Sequence, residues 1–145
     1  MAIMFDEPSQ TYWQLGNHIT TPQAPTAHGV HWWFMRNNLT LSFSKDLEEW
    51  TIAKRILWDD TGLSAEQSLI QTGFHYPDCI ADGDDLLCLV RTAYRGAVNA
   101  HDSNRITLKR VTNFRQLAAS SESMDEMKPA IDAIPGVKAI VHTVV

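Results

Sequence analysis

Apolar and polar residues alternate over several short runs in the first half of this chain, and turn-forming residues separate the runs. Alternation with a period of two is typical of half-buried β-strands. It predicts strands at residues 12–20, 31–36, 39–44 and 50–58. Turns are expected at 22–26, 37–38 and 45–49, where Pro, Asn, Ser and Asp favour chain reversal. The first half therefore predicts an antiparallel meander.

A second meander is predicted further along the chain. Two mostly apolar runs, 76–81 and 86–91, flank Asp82-Gly83-Asp84-Asp85, and such a turn-rich spacer indicates a β-hairpin. A polar loop at 94–104 follows, and alternation returns at Ile106 and Leu108. A long polar loop between two strong strands is a frequent place for function.

Two meanders of about the length of a propeller blade predict radial repetition. We therefore expect a mainly β chain with the antiparallel meanders of a partial β-propeller and a short C-terminal α/β tail. Residues 1–11 show no periodicity and are interpreted as a lead-in or a truncated edge. The meanders, 12–58 and 73–117, are joined by a polar connection in which Ser64 and Gln67 form a capping box. Residues 118–145 are predicted to form a linker, a helix near 124–134 and a β-prone run at 137–145.

Composition and charge exclude several classes of partner. The chain has 145 residues and a formal net charge of −5, which argues against binding to a nucleic-acid backbone. No apolar run approaches the ~20 residues that span a bilayer, so no membrane partner is expected. The first ten residues lack the basic start and long apolar stretch of a secretion signal. No compartment is indicated.

The two cysteines are predicted to face each other. A turn centred on Gly83-Asp84 places Cys79 opposite Cys88 on neighbouring strands, close enough for a disulfide. Two reduced core thiols are the preferred interpretation, because Cys is often buried as a small apolar residue and no export signal is visible. No metal or other cofactor is predicted; calcium is left open, although no residue pattern supports it. His28 and His31 point to opposite faces of a strand and would not converge on an ion.

Both meanders resemble blades of known enzymes. The fragments YWQLGNHIT and HGVHWWFMRNNLTLSFSKDLEEW look like one blade of the sialidase-like and related glycosidase β-propellers. The fragments GFHYPDCIADGDDLLCLVRTAY and NAHDSNRITLKRVTNFRQL resemble the closing blade of bacterial sialidase-like proteins. The resemblance covers residues 12–117. The turn at 44–50 differs from the sialidase Asp-box, because Glu48 stands where Gly is expected and Trp50 comes one position early.

The resemblance implies a glycoside hydrolase that acts on a terminal sugar of a glycan, with an acidic sugar as the candidate. Propellers have about 4–8 blades. With two meanders, the chain is expected to be the C-terminal part of a larger enzyme that lacks its N-terminal blades, or to assemble as a homo-oligomer. A productive site in a monomer is not expected, because acid and nucleophile normally come from several blades.

Blade geometry groups the polar residues near one rim, where loops between second and third strands meet the blade connections. Candidate catalytic residues there are Asp102 and Asp78 as acid or base, with His101 beside Asp102, and Tyr94 as nucleophile. Arg91 or Arg95 is expected to grip a sugar carboxylate. Further candidate substrate-binding residues are Arg36, Asn37, His75, Asn104, Trp32 and Trp33.

Each candidate has a structural alternative. Asp78 can cap a strand start, Arg91 can extend into solvent, and Asp102-Ser103-Asn104 can be only a turn. Two other functions also fit the sequence. One is a non-catalytic carbohydrate-binding or assembly module in which Trp32, Trp33 and Tyr94 stack on sugars. The other is a polysaccharide lyase on the same scaffold.

Overall fold

The computed structural model describes residues 1–18 and 35–120, and these form two antiparallel sheets. The first sheet has the order β1 (Ala2–Asp6), β2 (Thr11–Asn17), β3 (Asn38–Ser44) and β4 (Thr51–Trp58). The second has the order β5 (Gly73–Asp82), β6 (Asp85–Ala93) and β7 (Arg105–Val111). Helix α1 (Ala65–Gln71) joins the sheets, and a 3-10 helix (Phe114–Ala119) follows β7. The mainly β, antiparallel prediction is confirmed.

Of the two interpretations of residues 1–11, the structure agrees with an edge and not with a lead-in, because β1 lies there at the edge of the first sheet and pairs with β2, for example Met4 with Trp13. The side chains of β1 do alternate in burial. The alternation is hidden in the sequence because residues 1–5 are all apolar and no polar position marks the exposed face. β1 is thus the edge strand of the first sheet.

Several predicted elements lie wholly or partly outside the described residues. These are the strand at 31–36, of which only Met35 and Arg36 are described and neither is in a strand, the turn at 22–26, the helix at 124–134 and the run at 137–145. The predicted capping box is present at the start of α1, where Ser64 accepts from the Gln67 backbone N–H. Within the described ranges, no helix is both long and apolar enough to cross a membrane.

The core lies between the two sheets. Trp13, Leu15 and Leu41 of the first sheet are fully buried in one cluster with residues of the second, including Leu86 and Val90. Apolar residues on the facing sides of both sheets supply this cluster, as expected when two sheets pack face to face. The sheets therefore stack as two layers around one hydrophobic interior.

The predicted register of the second hairpin is confirmed, because Cys79 pairs with Cys88 and Asp82 pairs with Asp85. Both cysteines are free thiols. Burial raises the pKa of Cys79 to about 11 and that of Cys88 to about 12, so both thiols stay protonated at neutral pH. Their surroundings agree with the interpretation of reduced core thiols.

The turn between β3 and β4 is organised by Asp46. Its Oδ1 accepts backbone N–H bonds from Glu48 at 2.8 Å and Glu49 at 2.9 Å. The Glu49 and Glu48 amides lower the pKa of the Asp46 carboxyl. Trp50 Nε1 donates to the Leu47 carbonyl at 3.1 Å. The carboxylate thus accepts two backbone donors of this turn and Ser44 Oγ accepts those of Asp46 and Leu47, in agreement with the structural role predicted for the turn.

An ion pair joins the first strand to the 3-10 helix. Arg115 donates to both carboxylate oxygens of Asp6, from Nε at 2.8 Å and from Nη2 at 2.8 Å. Its Nη1 also reaches Asp84 in the β5–β6 turn at 3.1 Å. One guanidinium therefore connects the two sheets at the end where that turn lies.

Candidate functional site

The two sheets are held together at one end, which we call the loop end: residues 35–37, 59–64, 73–76 and 94–104. The Phe74 N–H donates to the Arg36 carbonyl at 2.7 Å. Asn17 Nδ2 donates to the carbonyls of Asn38 at 3.1 Å and Phe74 at 3.0 Å. The strand ends from both sheets are thereby fixed side by side, and most of the predicted rim residues lie here.

The loop at 94–104 packs closely on the start of β5. The Ala100 N–H donates to the Ile70 carbonyl at the end of α1, and the Ala100 carbonyl contacts the His75 ring Nε2. A Cβ on Gly73 would overlap both the Ala100 carbonyl oxygen and His75 Nε2. Only glycine allows this approach, so the position of the loop depends on Gly73.

Tyr76 is turned out of the sheet at an irregularity in β5. The register shifts between His75 and Asp78, and Tyr76 has a left-handed φ of 44°. A bulge of this kind re-aims a side chain. The Tyr76 ring lies 5.9 Å from the Arg36 guanidinium carbon and 5.7 Å from that of Arg91. The bulge thus places an exposed aromatic ring near two cationic groups.

Hydrogen bonds fix both arginines around this ring. Arg36 Nη1 lies 3.2 Å from His75 Nδ1. Arg91 donates to Ser103 Oγ at 2.7 Å and to the His101 carbonyl at 3.3 Å. The His75 and His101 rings meet at 5.4 Å between centroids. We call Arg36, His75, Tyr76, Arg91 and His101 the Tyr76 cluster.

His75 is held neutral within this cluster. Burial lowers its pKa most strongly, and the contact with the Ala100 carbonyl opposes that effect. The positive charges of Arg36 and Arg91 lower the pKa of His75 further. The ring therefore supports the arginines without adding a charge at neutral pH.

A second cluster forms around Tyr94, at the end of β6. The Tyr94 hydroxyl donates to Asp60 Oδ1. Arg95 Nη2 lies 3.8 Å from the same oxygen. The guanidinium carbons of Arg95 and Arg105 lie 5.2 Å and 5.1 Å from the Tyr94 ring centroid. We call Asp60, Tyr94, Arg95, Asn104 and Arg105 the Tyr94 cluster.

The backbone around Tyr94 is also fixed. Asn104 accepts from the Tyr94 N–H at 3.2 Å and donates to its carbonyl at 2.8 Å. Arg105 Nη2 donates to the same carbonyl at 2.9 Å. Asn104 thus joins the two ends of the 94–104 loop through the Tyr94 backbone, and its Oδ1 also accepts from Arg105 Nε at 3.4 Å.

Asp60 is positioned by the preceding residue. The Asp59 carboxylate accepts from the Thr61 N–H at 2.9 Å and from Thr72 Oγ1 at 2.7 Å. Burial raises the pKa of Asp59, but hydrogen bonds from Ser68, Thr61 and Thr72 outweigh it and leave the pKa lowered. Asp59 is a structural anion, and Asp60 is left exposed to meet Tyr94.

The predicted His101-Asp102 pair lies in the loop near the Tyr76 cluster. His101 Nδ1 is 4.0 Å from Asp102 Oδ1, and both side chains are more than half exposed. The backbone N–H groups of His101 and Asp102 donate to Asn99 Oδ1 at 2.8 Å and 3.0 Å. This hydrogen bonding matches the turn alternative, and a catalytic role for either residue stays a prediction.

Other predicted residues lie apart from the clusters. Asp78 is exposed in β5 opposite Leu89, and its carboxylate accepts from the Cys79 N–H at 2.9 Å. Asn37 Nδ2 donates to Ser68 Oγ at 2.8 Å, which ties the loop end to α1. Trp32 and Trp33 lie outside the described residues.

Sequence reasoning missed Asp60 and Arg105. Both come at strand ends, Asp60 shortly after β4 and Arg105 at the first position of β7. Tyr94 is distant from Asp60 in sequence and follows β6 of the other sheet. Only the stacking of the two sheets brings Tyr94 and Asp60 together. The consecutive acids Asp59-Asp60, in the connection between the two sheets, were the available signal.

Among the described residues, no group of three or more His, Cys, Asp or Glu side chains is arranged to hold a metal ion. Comparison of the chain with family models, curated proteins and solved structures gives no match. The chemistry of the two clusters is therefore the basis for a functional proposal.

Proposed function

We propose that the chain forms two blades of a sialidase-like β-propeller and is part of a glycoside hydrolase for terminal acidic sugars. The observation that carries this proposal is the hydrogen bond from the Tyr94 hydroxyl to Asp60, with Arg95 and Arg105 beside the ring. Sialidases use a tyrosine nucleophile. The sequence resemblance of residues 12–117 to propeller blades supports the same proposal.

The proposed reaction has two steps. Asp60 takes the Tyr94 hydroxyl proton while the phenolic oxygen attacks the anomeric carbon. The glycosidic C–O bond breaks, and the leaving oxygen receives a proton from Asp102 acting as general acid. Water then attacks the anomeric carbon and gives its proton to Asp102, and the released Tyr94 oxygen recovers its proton from Asp60.

A tyrosine suits an acidic substrate for an electrostatic reason. A neutral hydroxyl approaches a sugar carboxylate without the repulsion that an ionised carboxylate nucleophile would suffer. Arg95 and Arg105 supply the opposite charge, and a guanidinium binds a carboxylate through two parallel hydrogen bonds. The Tyr94 cluster thus combines a nucleophile, its base and an anion-binding group.

A complete propeller needs more blades than these two sheets. We propose that further blades, from additional copies of the chain or from elsewhere in a larger protein, complete the substrate site. Light scattering of the purified chain tests the first source. A closed assembly of roughly three copies fits the usual blade number, and a monomer that turns over substrate contradicts the need for further blades.

The direct test compares Tyr94→Phe with the matched control Tyr12→Phe in hydrolysis of fluorogenic glycosides of acidic and neutral sugars. Tyr12 lies on β2 against Phe5, away from the loop end. We expect Tyr94→Phe to lose about 100-fold or more of the turnover of acidic glycosides, the scale of acid–base and nucleophile losses. Tyr12→Phe should retain it.

Two results would contradict the proposal. One is Tyr94→Phe turnover equal to that of the control. The other is an assembled wild-type protein that binds an acidic sugar without hydrolysing it. This second result would favour the carbohydrate-binding alternative, for which the exposed Tyr76 ring between two arginines is the supporting observation.

A further inference from the structure

The Tyr76 cluster has two guanidinium groups without an acidic partner. In residues 1–18 and 35–120, no carboxylate lies within 4.0 Å of Arg36 or Arg91. Arg110 and Arg115, at the other end of the sheets, are each paired with two carboxylates. The charge of the Tyr76 cluster is therefore available to a ligand.

The arginines of this cluster are held in place before any ligand binds. Arg91 is fixed through Ser103 and the His101 carbonyl, and Arg36 is fixed against His75. Guanidinium groups that are already oriented lose less side-chain entropy when they bind an anion. The one acid in the 94–104 loop is Asp102, which lies 4.0 Å from His101 Nδ1 and accepts from Asn99 Nδ2 at 2.5 Å.

The Tyr76 ring adds a surface for a sugar. The residue is 58% exposed, and its left-handed backbone turns the ring toward the two arginines. An exposed tyrosine offers a flat apolar face with a polar edge. An acidic sugar matches this combination, because its ring stacks on the aromatic face while its carboxylate reaches a guanidinium.

The 94–104 loop connects the Tyr76 and Tyr94 clusters. Its end residues Tyr94 and Asn104 are bonded to each other, and its His101 carbonyl accepts from Arg91. Resting on the proposed function, we propose that the ligand is a uronic-acid oligosaccharide with at least two acidic groups. One acidic sugar is held at the Tyr94 cluster, and another is held at the Tyr76 cluster.

Calorimetric binding of galacturonic acid and of its linear trimer to the full chain tests this proposal. The trimer should bind about tenfold or more tightly than the monomer, since one additional ion pair with stacking supplies about that factor. Arg36→Met should abolish this advantage, leaving the trimer with no more affinity than a single acidic sugar has for the Tyr94 cluster. Lys109→Met removes the same charge from an exposed site on β7 and should change trimer affinity less than about twofold.

Equal affinity for trimer and monomer, or no trimer binding, would overturn the proposal. So would equal losses in Arg36→Met and Lys109→Met, which would indicate attraction by overall charge. Tyr76→Leu serves as a second variant if Arg36→Met does not fold. Tyr94→Phe distinguishes the two proposals, because it should lose turnover and keep the preference for the trimer. If the wild-type protein has no turnover, the affinity comparison still decides the second subsite.

Discussion

Replacing Arg115 with Met should markedly destabilise the fold. Asp6 is 3% exposed and receives two charged hydrogen bonds from Arg115, each at 2.8 Å. Methionine keeps much of the apolar stem but removes these donors. Ser9 is then the remaining described partner of the Asp6 carboxylate. The variant therefore leaves a buried carboxylate without its cation and also removes the Nη1 hydrogen bonds to Asp84 and to the Gly83 carbonyl.

The size of the effect follows from this geometry. Removing one partner of a fully buried ion pair costs about 3–5 kcal/mol. The Arg115 side chain is 23% exposed, so water offsets part of that loss when the cation is removed. We expect a decrease of about 2–3 kcal/mol in the free energy of unfolding at pH 7.

The effect should depend on pH in a defined direction. Arg115 lowers the pKa of Asp6 most strongly, and the Ser9 hydrogen bonds contribute to the same shift. A carboxyl whose pKa is lower in the folded state stabilises the fold above its unfolded pKa, about 3.9. That stability is lost as the pH falls through the folded pKa. The difference between wild type and Arg115→Met should therefore be complete at pH 7 and shrink below about pH 4.

Urea unfolding measures this difference. With a slope of about 1–3 kcal/mol per molar, the midpoint should fall by roughly 0.7–3 M at pH 7. Arg110→Met is the matched control, because Arg110 also bonds two carboxylates, those of Asp82 and Asp85, but is 48% exposed. Its midpoint should move much less. Equal shifts in the two variants, or a loss that is the same at pH 7 and pH 3, would refute the reasoning.

Three further predictions concern other parts of the fold. Gly73→Ala should destabilise the protein by about 1–3 kcal/mol, because the new methyl group meets the Ala100 carbonyl and His75; an unchanged thermal midpoint would contradict it. Ser64→Ala should lower the free energy of unfolding in urea by about 1 kcal/mol, because it removes the N-cap of α1; an unchanged urea midpoint would contradict this. Burial and the raised pKa values of Cys79 and Cys88 should make both thiols react slowly with a disulfide reagent at pH 8 until urea unfolds the chain; fast labelling of the native protein would disagree.

Most strands and the second hairpin could be predicted from local sequence. The candidate site could be predicted only in part. Alternation and turn residues act over a few neighbours, so the pairing of Cys79 with Cys88 could be derived from the Gly83-Asp84 turn alone. The first strand escaped detection because its exposed positions, Ile3 and Phe5, are also apolar. Pairing with β2, and not the pattern of its own residues, determines which face of β1 is buried.

The contacts in the two clusters depend on tertiary structure. Tyr94 was identified as a candidate from its place in a polar loop. Its partner Asp60 precedes α1 in the chain, so local sequence does not indicate the contact. The orientation of Tyr76 depends on a register shift in β5 that alternation does not predict. Asp78 was grouped with the rim by its position in the sequence, yet it lies along the strand and outside both clusters.

The Asp6–Arg115 ion pair also bears on the order of folding, because its partners are 109 residues apart in the chain. Closing so long a segment is entropically costly before other contacts form. The β5–β6 hairpin, with its two-residue turn, closes far more quickly. We therefore predict that the ion pair forms after the transition state, so that Arg115→Met should speed unfolding more than it slows folding in stopped-flow experiments.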